Sequence, residues 1–177
     1  METRPEIRPT RPGDESALIE FYRRIPPADR TFLKEDVDDP AVARSWARAG
    51  GPHVIAVEDG EVLGSVAVVP LHGWSSHVGE IRLVVDPEHR GRGVGRALAQ
   101  RAVLDAMELG LAKLVVEVIA EQEALIAMFR GLGFEPEALL VDHVRDRSGE
   151  LRDLLVLANS VEGQFASMAA AGIVESL

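Results

Sequence analysis

The stretch Val84-Val85-Asp86-Pro87-Glu88-His89-Arg90-Gly91-Arg92-Gly93-Val94-Gly95-Arg96 decides how this chain is read. β-Branched residues run into Asp-Pro, three glycines alternate with other residues, and an apolar-periodic run follows, which predicts a strand, a short loop and a helix start. Glycines let backbone N–H groups converge without Cβ obstruction, and the first turn of a helix adds unpaired donors at the positive end of its dipole. Arg90, Arg92 and Arg96 bring positive charge to a chain in which 19 Lys and Arg face 29 Asp and Glu, for a net charge of −10. A phosphate or pyrophosphate is the natural guest. No Gly-Lys-Ser/Thr is present, which excludes a nucleotide-hydrolysing loop. A dinucleotide fingerprint from Gly91 would need glycine at position 96, which is Arg96, and five residues separate Val85 from that first glycine.

Working outward, Val78–Val85 is the strand that enters this loop and Gly93–Leu109 the helix that leaves it. A β-branched strand, Lys113–Ile119, follows through Gly110, so strand, helix and strand make a parallel crossover. Upstream, His53–Glu58 and Glu61–Val69 flank Asp59-Gly60, a hairpin turn, and with Val78–Val85 they form an antiparallel meander. Glu6–Pro9 is extended. Helices are expected over Asp14–Ile25, stopped by Pro26-Pro27, and over Pro40–Ala49, ended by Gly50-Gly51, with Ala28–Asp39 mostly loop. Downstream come a helix at Glu121–Arg130, strands Ala138–Arg145 and Leu151–Leu157 around a turn at Asp146–Gly149, and a helical tail over Asn159–Leu177. The expectation is an α/β chain with a mixed central sheet of six to seven strands flanked by about four helices, plus a C-terminal helical tail. Residues 1–158 are read as one domain and 159–177 as its extension.

Composition narrows the function. The 177 residues suit one domain with one sizeable core, and 46% hydrophobic with 27% charged residues is that of a folded protein. The negative balance disfavours nucleic acid and anionic lipid as partners, and no run of about 18 apolar residues is available to cross a membrane. With no cysteine, disulfides, thiolate metal sites and cysteine nucleophiles are excluded, and a cytoplasmic location is expected.

Arg90-Gly91-Arg92-Gly93-Val94-Gly95 resembles the Gln/Arg-x-x-Gly-x-Gly/Ala signature of the GNAT superfamily of acyl-CoA-dependent N-acyltransferases. The order of elements from Glu6 to about Ala158 is similar to that family as well. The resemblance implies the GNAT fold, acetyl-CoA as cosubstrate and a pyrophosphate site on the Arg92 to Gly95 amides, with Gly91 and the side chains of Arg90 and Arg96 in the same loop. The backbone of Val84 and Val85 would pair with the pantetheine arm as if it were another strand. Gln122 to Phe134 also matches, with two departures. Many members have Asn where this chain has Gln122, and a tyrosine acid for the leaving thiolate where it has Phe129. Both residues are carried over as cofactor-binding candidates, Phe129 being read first as a packed core aromatic. A thiol of pKa about 8.5 can leave without a tyrosine.

The activity implied is transfer of an acetyl group to a primary amine, of a small molecule or of a protein lysine. Such amines have pKa about 10.4, so a base is needed near neutrality. Glu80, in Glu80-Ile81-Arg82-Leu83, resembles the glutamate that members use as base, and by alternation it shares a strand face with Arg82 and Val84. An ion pair with Arg82 is the other reading of Glu80. His72, Trp74 and His77 could line an acceptor pocket or merely decorate a surface loop, and two histidines do not make a metal site, so no metal is expected. Asp36, Asp38, Asp39, Asp142 and Asp146 either attract a cationic acceptor or form a solvated acidic surface. A non-catalytic acyl-CoA-binding regulatory module is the alternative, motivated by Phe129. The sequence leaves monomer and homodimer open.

Overall fold

A computed structural model of the chain describes residues 4–30, 32–49 and 53–173. In order the elements are β1 (Glu6–Pro9), α1 (Glu15–Arg24), α2 (Pro27–Arg30), α3 (Pro40–Ala49), β2 (His53–Glu58), β3 (Glu61–Pro70), β4 (Val78–Val85), α4 (Val94–Glu108), β5 (Lys113–Ile119), α5 (Glu123–Arg130), β6 (Glu135–Arg145), β7 (Leu151–Ser160) and α6 (Val161–Ala170). The strands follow the order β1-β2-β3-β4-β5-β7-β6. β4 and β5 are parallel, while β1–β2, β2–β3, β5–β7 and β6–β7 are antiparallel, so the sheet is mixed as expected.

The chain divides into two compact units, one of residues up to Ala67 together with Leu83–Leu98, the other of Val68–Arg82 and Ala99 onward. In the first, Leu18, Phe21, Tyr22 and Ile25 recur at helical spacing along one face and pack with Ala43 and Ala47 of α3, Ile55 of β2 and Val62 of β3. Each such large side chain removed from water contributes roughly 1.5–3 kcal/mol. The Asp14 carboxylate does not cap α1 but takes Arg8 at 2.7 and 2.8 Å. Asp59 and Gly60 both have positive φ, 51° and 82°, the twist that a two-residue hairpin needs. Gly64 of β3 is there for space: a Cβ would stand 2.8 Å from Leu98 and 3.0 Å from the Val84 carbonyl.

In the second unit, β5 and β7 pair continuously from Lys113↔Ser160 to Ile119↔Leu154. Gly79 of β4 has no room for a side chain, since a Cβ would meet Leu111 at 2.6 Å and Val68 at 2.8 Å. β6 is an edge strand, exposed along most of its length, with irregular register between Pro136 and Ala138 and between Leu140 and Val144.

Several boundaries differ from expectation for local reasons. Pro27 does not only stop α1; its fixed φ opens the four-residue α2 inside the stretch expected to be loop. β6 begins three residues before Ala138 because a proline is tolerated on an edge. β7 runs on to Ser160, held by β5 despite the weak strand preference of Ala158 and Asn159, and α6 occupies only Val161–Ala170 of the expected helical tail. α5 starts at Glu123, two residues later than expected. The expected helix stop at Gly50-Gly51 and the chain end beyond 173 lie outside the described residues.

Candidate active site

β4 delivers the chain to Asp86, which is buried and decides the path of the loop. Its carboxylate accepts from Arg24 Nε at 2.8 Å and from the Glu88 N–H at 3.0 Å, and its own N–H donates to the Leu63 carbonyl at 3.0 Å. Arg24 also donates to the Val62 carbonyl at 2.7 Å, so α1, β3 and the loop are fastened at one point. Burial raises the Asp86 pKa, but the Arg24 and Glu88 hydrogen bonds, together with the charges of Arg24 and His89, more than offset it and hold the carboxyl below its ordinary value. Neither Asp86 nor Arg24 was singled out from sequence as a site residue, because their partnership spans 62 positions.

After the 3₁₀ turn Pro87–His89, Gly91 and Gly93 take φ of 77° and 83°, a region closed to most side chains. A Cβ at either would meet nothing within 4 Å, so the space above both glycines is open. The Gly93 carbonyl accepts from the Ala97 N–H at 3.0 Å, which makes Gly93 the N-cap of α4. Helix geometry therefore gives the N–H groups of Gly93, Val94, Gly95 and Arg96 no acceptor within α4. Val94 is buried through its side chain, so what it can offer an anion is backbone.

The arginines are not equivalent. Arg90 pairs with Asp29 at 2.7 Å, and Arg92 donates to both oxygens of Glu58 at 3.0 Å. At least two of the three guanidinium groups that sequence pooled into one positive patch thus carry a carboxylate. Val84 and Val85 are partly buried at the end of β4, and the β4–β5 register closes at Ile81↔Val116, before either valine.

In the second unit Glu80 is buried, with its backbone in register with Val115. Arg82 Nη2 stands 3.5 Å from Glu80 Oε2, longer than a tight charge-assisted bond. Gln122 stands at the start of α5 without a side-chain cap bond and folds back, its Oε1 accepting from the Ile119 N–H at 3.1 Å. Phe129 is fully buried and meets Phe134 edge-on with ring centroids 5.2 Å apart. The ring is part of the core. Trp74 is 97% exposed on a 3₁₀ turn. Among the described residues no group of three His, Cys, Asp or Glu could hold a metal ion.

The acidic residues expected near the acceptor are partly occupied by their own loops. Asp146 accepts from the Ser148 hydroxyl at 2.6 Å, from Arg152 and from the N–H groups of Ser148 and Glu150. These bonds, the Ser148 hydroxyl first, lower its pKa to about 2 against a smaller opposing effect of desolvation. Asp39 accepts from the Ala41 N–H at 2.8 Å at the start of α3, and Asp38 pairs with Arg30.

With this geometry in view, the sequence profile described as Acetyltransferase (GNAT) family matches residues 16–134. The chain belongs to that family. As a GNAT protein it is an acyl-CoA-dependent N-acyltransferase, and acetyl-CoA is the family's cosubstrate. It is similar to an uncharacterised N-acetyltransferase, YjgM, of Escherichia coli, 26% identical over 137 residues that cover 74% of this chain and 82% of that one. It is also similar to the L-amino acid N-acyltransferase MnaT of the same organism, 25% identical over 134 residues, 72% of this chain and 78% of that one. Among solved structures, a GCN5-related N-acetyltransferase from Kribbella flavida superposes with a TM-score of 0.75 at 28% identity, covering 88% of this chain and 96% of that one.

Proposed function

We propose that this chain moves the acetyl group of acetyl-CoA to a primary amine, of a small molecule or of a protein lysine, with Gly91–Arg96 receiving the pyrophosphate and Glu80 receiving the proton. The observation that carries the reading is the turn before α4, where Gly91 and Gly93 hold positive φ under open space and the first turn of the helix brings N–H groups that have no acceptor within α4. Arg90, Arg92 and Arg96 add charge at its rim. Val84 and Val85 continue β4 past the end of its register with β5, which suits backbone pairing with the pantetheine amides. Gln122 stays a candidate at the start of α5.

In the step proposed, the amine nitrogen attacks the thioester carbonyl, the C–N bond forms, the C–S bond breaks and coenzyme A leaves as thiolate. The Glu80 carboxylate takes the proton that the amine gives up, directly or through water. With a benzene ring at Phe129, the thiolate leaves unaided or takes its proton from water. The similarity to an amino acid N-acyltransferase supports small α-amines in the first round of acceptors. A cytoplasmic setting, where acyl-CoA and amines meet, is part of the proposal.

A panel of amines, amino acids and lysine peptides with acetyl-CoA, followed by release of free thiol, tests this. Glu80→Gln should lower turnover by about 10²-fold near pH 7 with coenzyme A affinity unchanged, as loss of a general base does. An unaltered rate would return Glu80 to an ion-pair role with Arg82. The buried, hydroxyl-free Phe129 favours a second reading, a module that binds acyl-CoA without turnover. Coenzyme A binding with no amine-dependent thiol release across the panel would select it.

A further inference from the structure

α2 is four residues long and buries none of them, so the side chains flanking its turn, and not a packed face, hold it in place. Asp29 accepts from Arg90 of the glycine turn at 2.7 Å, and the next residue, Arg30, pairs with Asp38 in the connector to α3. The backbone bonds of this segment include Arg30 N–H to the Pro26 carbonyl at 2.9 Å and Phe32 N–H to the Asp29 carbonyl at 3.1 Å. The Asp29–Arg90 pair is open to solvent, with Arg90 57% and Asp29 35% exposed, whereas Glu58, which holds Arg92, is 18% exposed. Exposed ion pairs are weak, and a phosphate offers a guanidinium more charge and more acceptor oxygens than a carboxylate does.

We propose that Asp29 is an affinity-setting residue: its carboxylate occupies Arg90 as an internal competitor of the donor's phosphates, and donor binding releases it and loosens α2. The inference rests on the proposed use of the glycine turn by acetyl-CoA. Two anions cannot share one face of Arg90 without repulsion, so the carboxylate that was an attractive partner becomes a like charge beside the phosphates. Arg92, more enclosed by Glu58, keeps its partner. The loop thus has one arginine that exchanges and one that braces.

Calorimetry with coenzyme A on the wild type, Asp29→Asn, Arg90→Gln and the double variant tests this. Asp29→Asn should tighten binding by about two- to fivefold, the scale of an exposed pair. The same change in the Arg90→Gln background should do nothing. Hydrogen exchange at the Arg30 and Phe32 amides should quicken when coenzyme A binds the wild type and be fast already in Asp29→Asn. Equal or weaker binding by Asp29→Asn overturns the inference, as does a gain that persists in Arg90→Gln, which would reflect net charge alone. If the wild type binds no coenzyme A, the proposed function falls with it; if the wild type binds and only the Asp29→Asn gain is missing, this inference falls alone.

Discussion

Two short Gly-x-Gly turns, Gly91-Arg92-Gly93 before a helix and Gly131-Leu132-Gly133 after one, do opposite things. Above Gly91 and Gly93 there is open space. Above Gly133, whose φ is also positive at 89°, a Cβ would stand 3.1 Å from Asn159 Nδ2 and 3.3 Å from Gln164 Oε1. Asn159 donates to the Gly133 carbonyl at 2.6 Å and to Gln164 at 2.5 Å, so a polar clasp closes that turn, which links Phe129 to its ring partner Phe134 along the chain. Backbone freedom is common to both turns. What lies over the glycine separates a turn that can admit an anion from one that seals a core.

The comparison breaks most visibly at Phe129. Phe129→Ala should cost roughly 3–5 kcal/mol of stability, as truncation of a fully buried aromatic does, and Phe129→Tyr should raise turnover only modestly. Unfolding midpoints and rates check this; a Phe129→Ala protein of wild-type stability would mean that the second turn seals nothing. Next in size, Gly93→Asp with Gly95→Asp should weaken coenzyme A binding by about 10²-fold through like-charge repulsion of the phosphates. Equal affinity in calorimetry would remove the first turn from the site. The smallest and sharpest test replaces one glycine in each turn by alanine. Both changes carry the left-handed backbone penalty of roughly 1–2 kcal/mol. Gly133→Ala should lose more stability, because it also displaces Asn159 or Gln164, and leave coenzyme A affinity alone. Gly91→Ala should lose affinity instead. Thermal melts and titrations of the pair read both axes, and matching profiles would erase the distinction.

Sequence alone carried much of this architecture where the signal was local. β1, β2, β4, β5 and α3 lie where alternation, Pro at a helix start and the Asp59-Gly60 turn put them. The glycine turn was legible because its glycines, its arginines and the following helix are contiguous. What was not legible is long-range. Arg90 and Asp29 are 61 positions apart, and Arg92 and Glu58 are 34 apart, so the positive patch could be counted but not its occupancy by carboxylates. The role of Asp86 was hidden for the same reason, since only the folded chain shows Arg24 reaching it. Asp146 looked like a charge available to an acceptor, yet Ser148 and Arg152 beside it spend that charge within the turn.

β6 ends the sheet, and an uncovered edge of 11 residues is normally an invitation to fibrous growth. Here the invitation is withdrawn by shape. Pro136 lacks a donor, Asp142 bends the strand through a left-handed φ of 52°, and the two irregularities leave only Ala138–Leu140 as an uninterrupted central rung set. An extended chain laid along this edge would find three residues in step before losing register, too few to template a cross-β stack. Exposed Leu139 and Val141 can therefore sit on the rim without making the protein prone to aggregate.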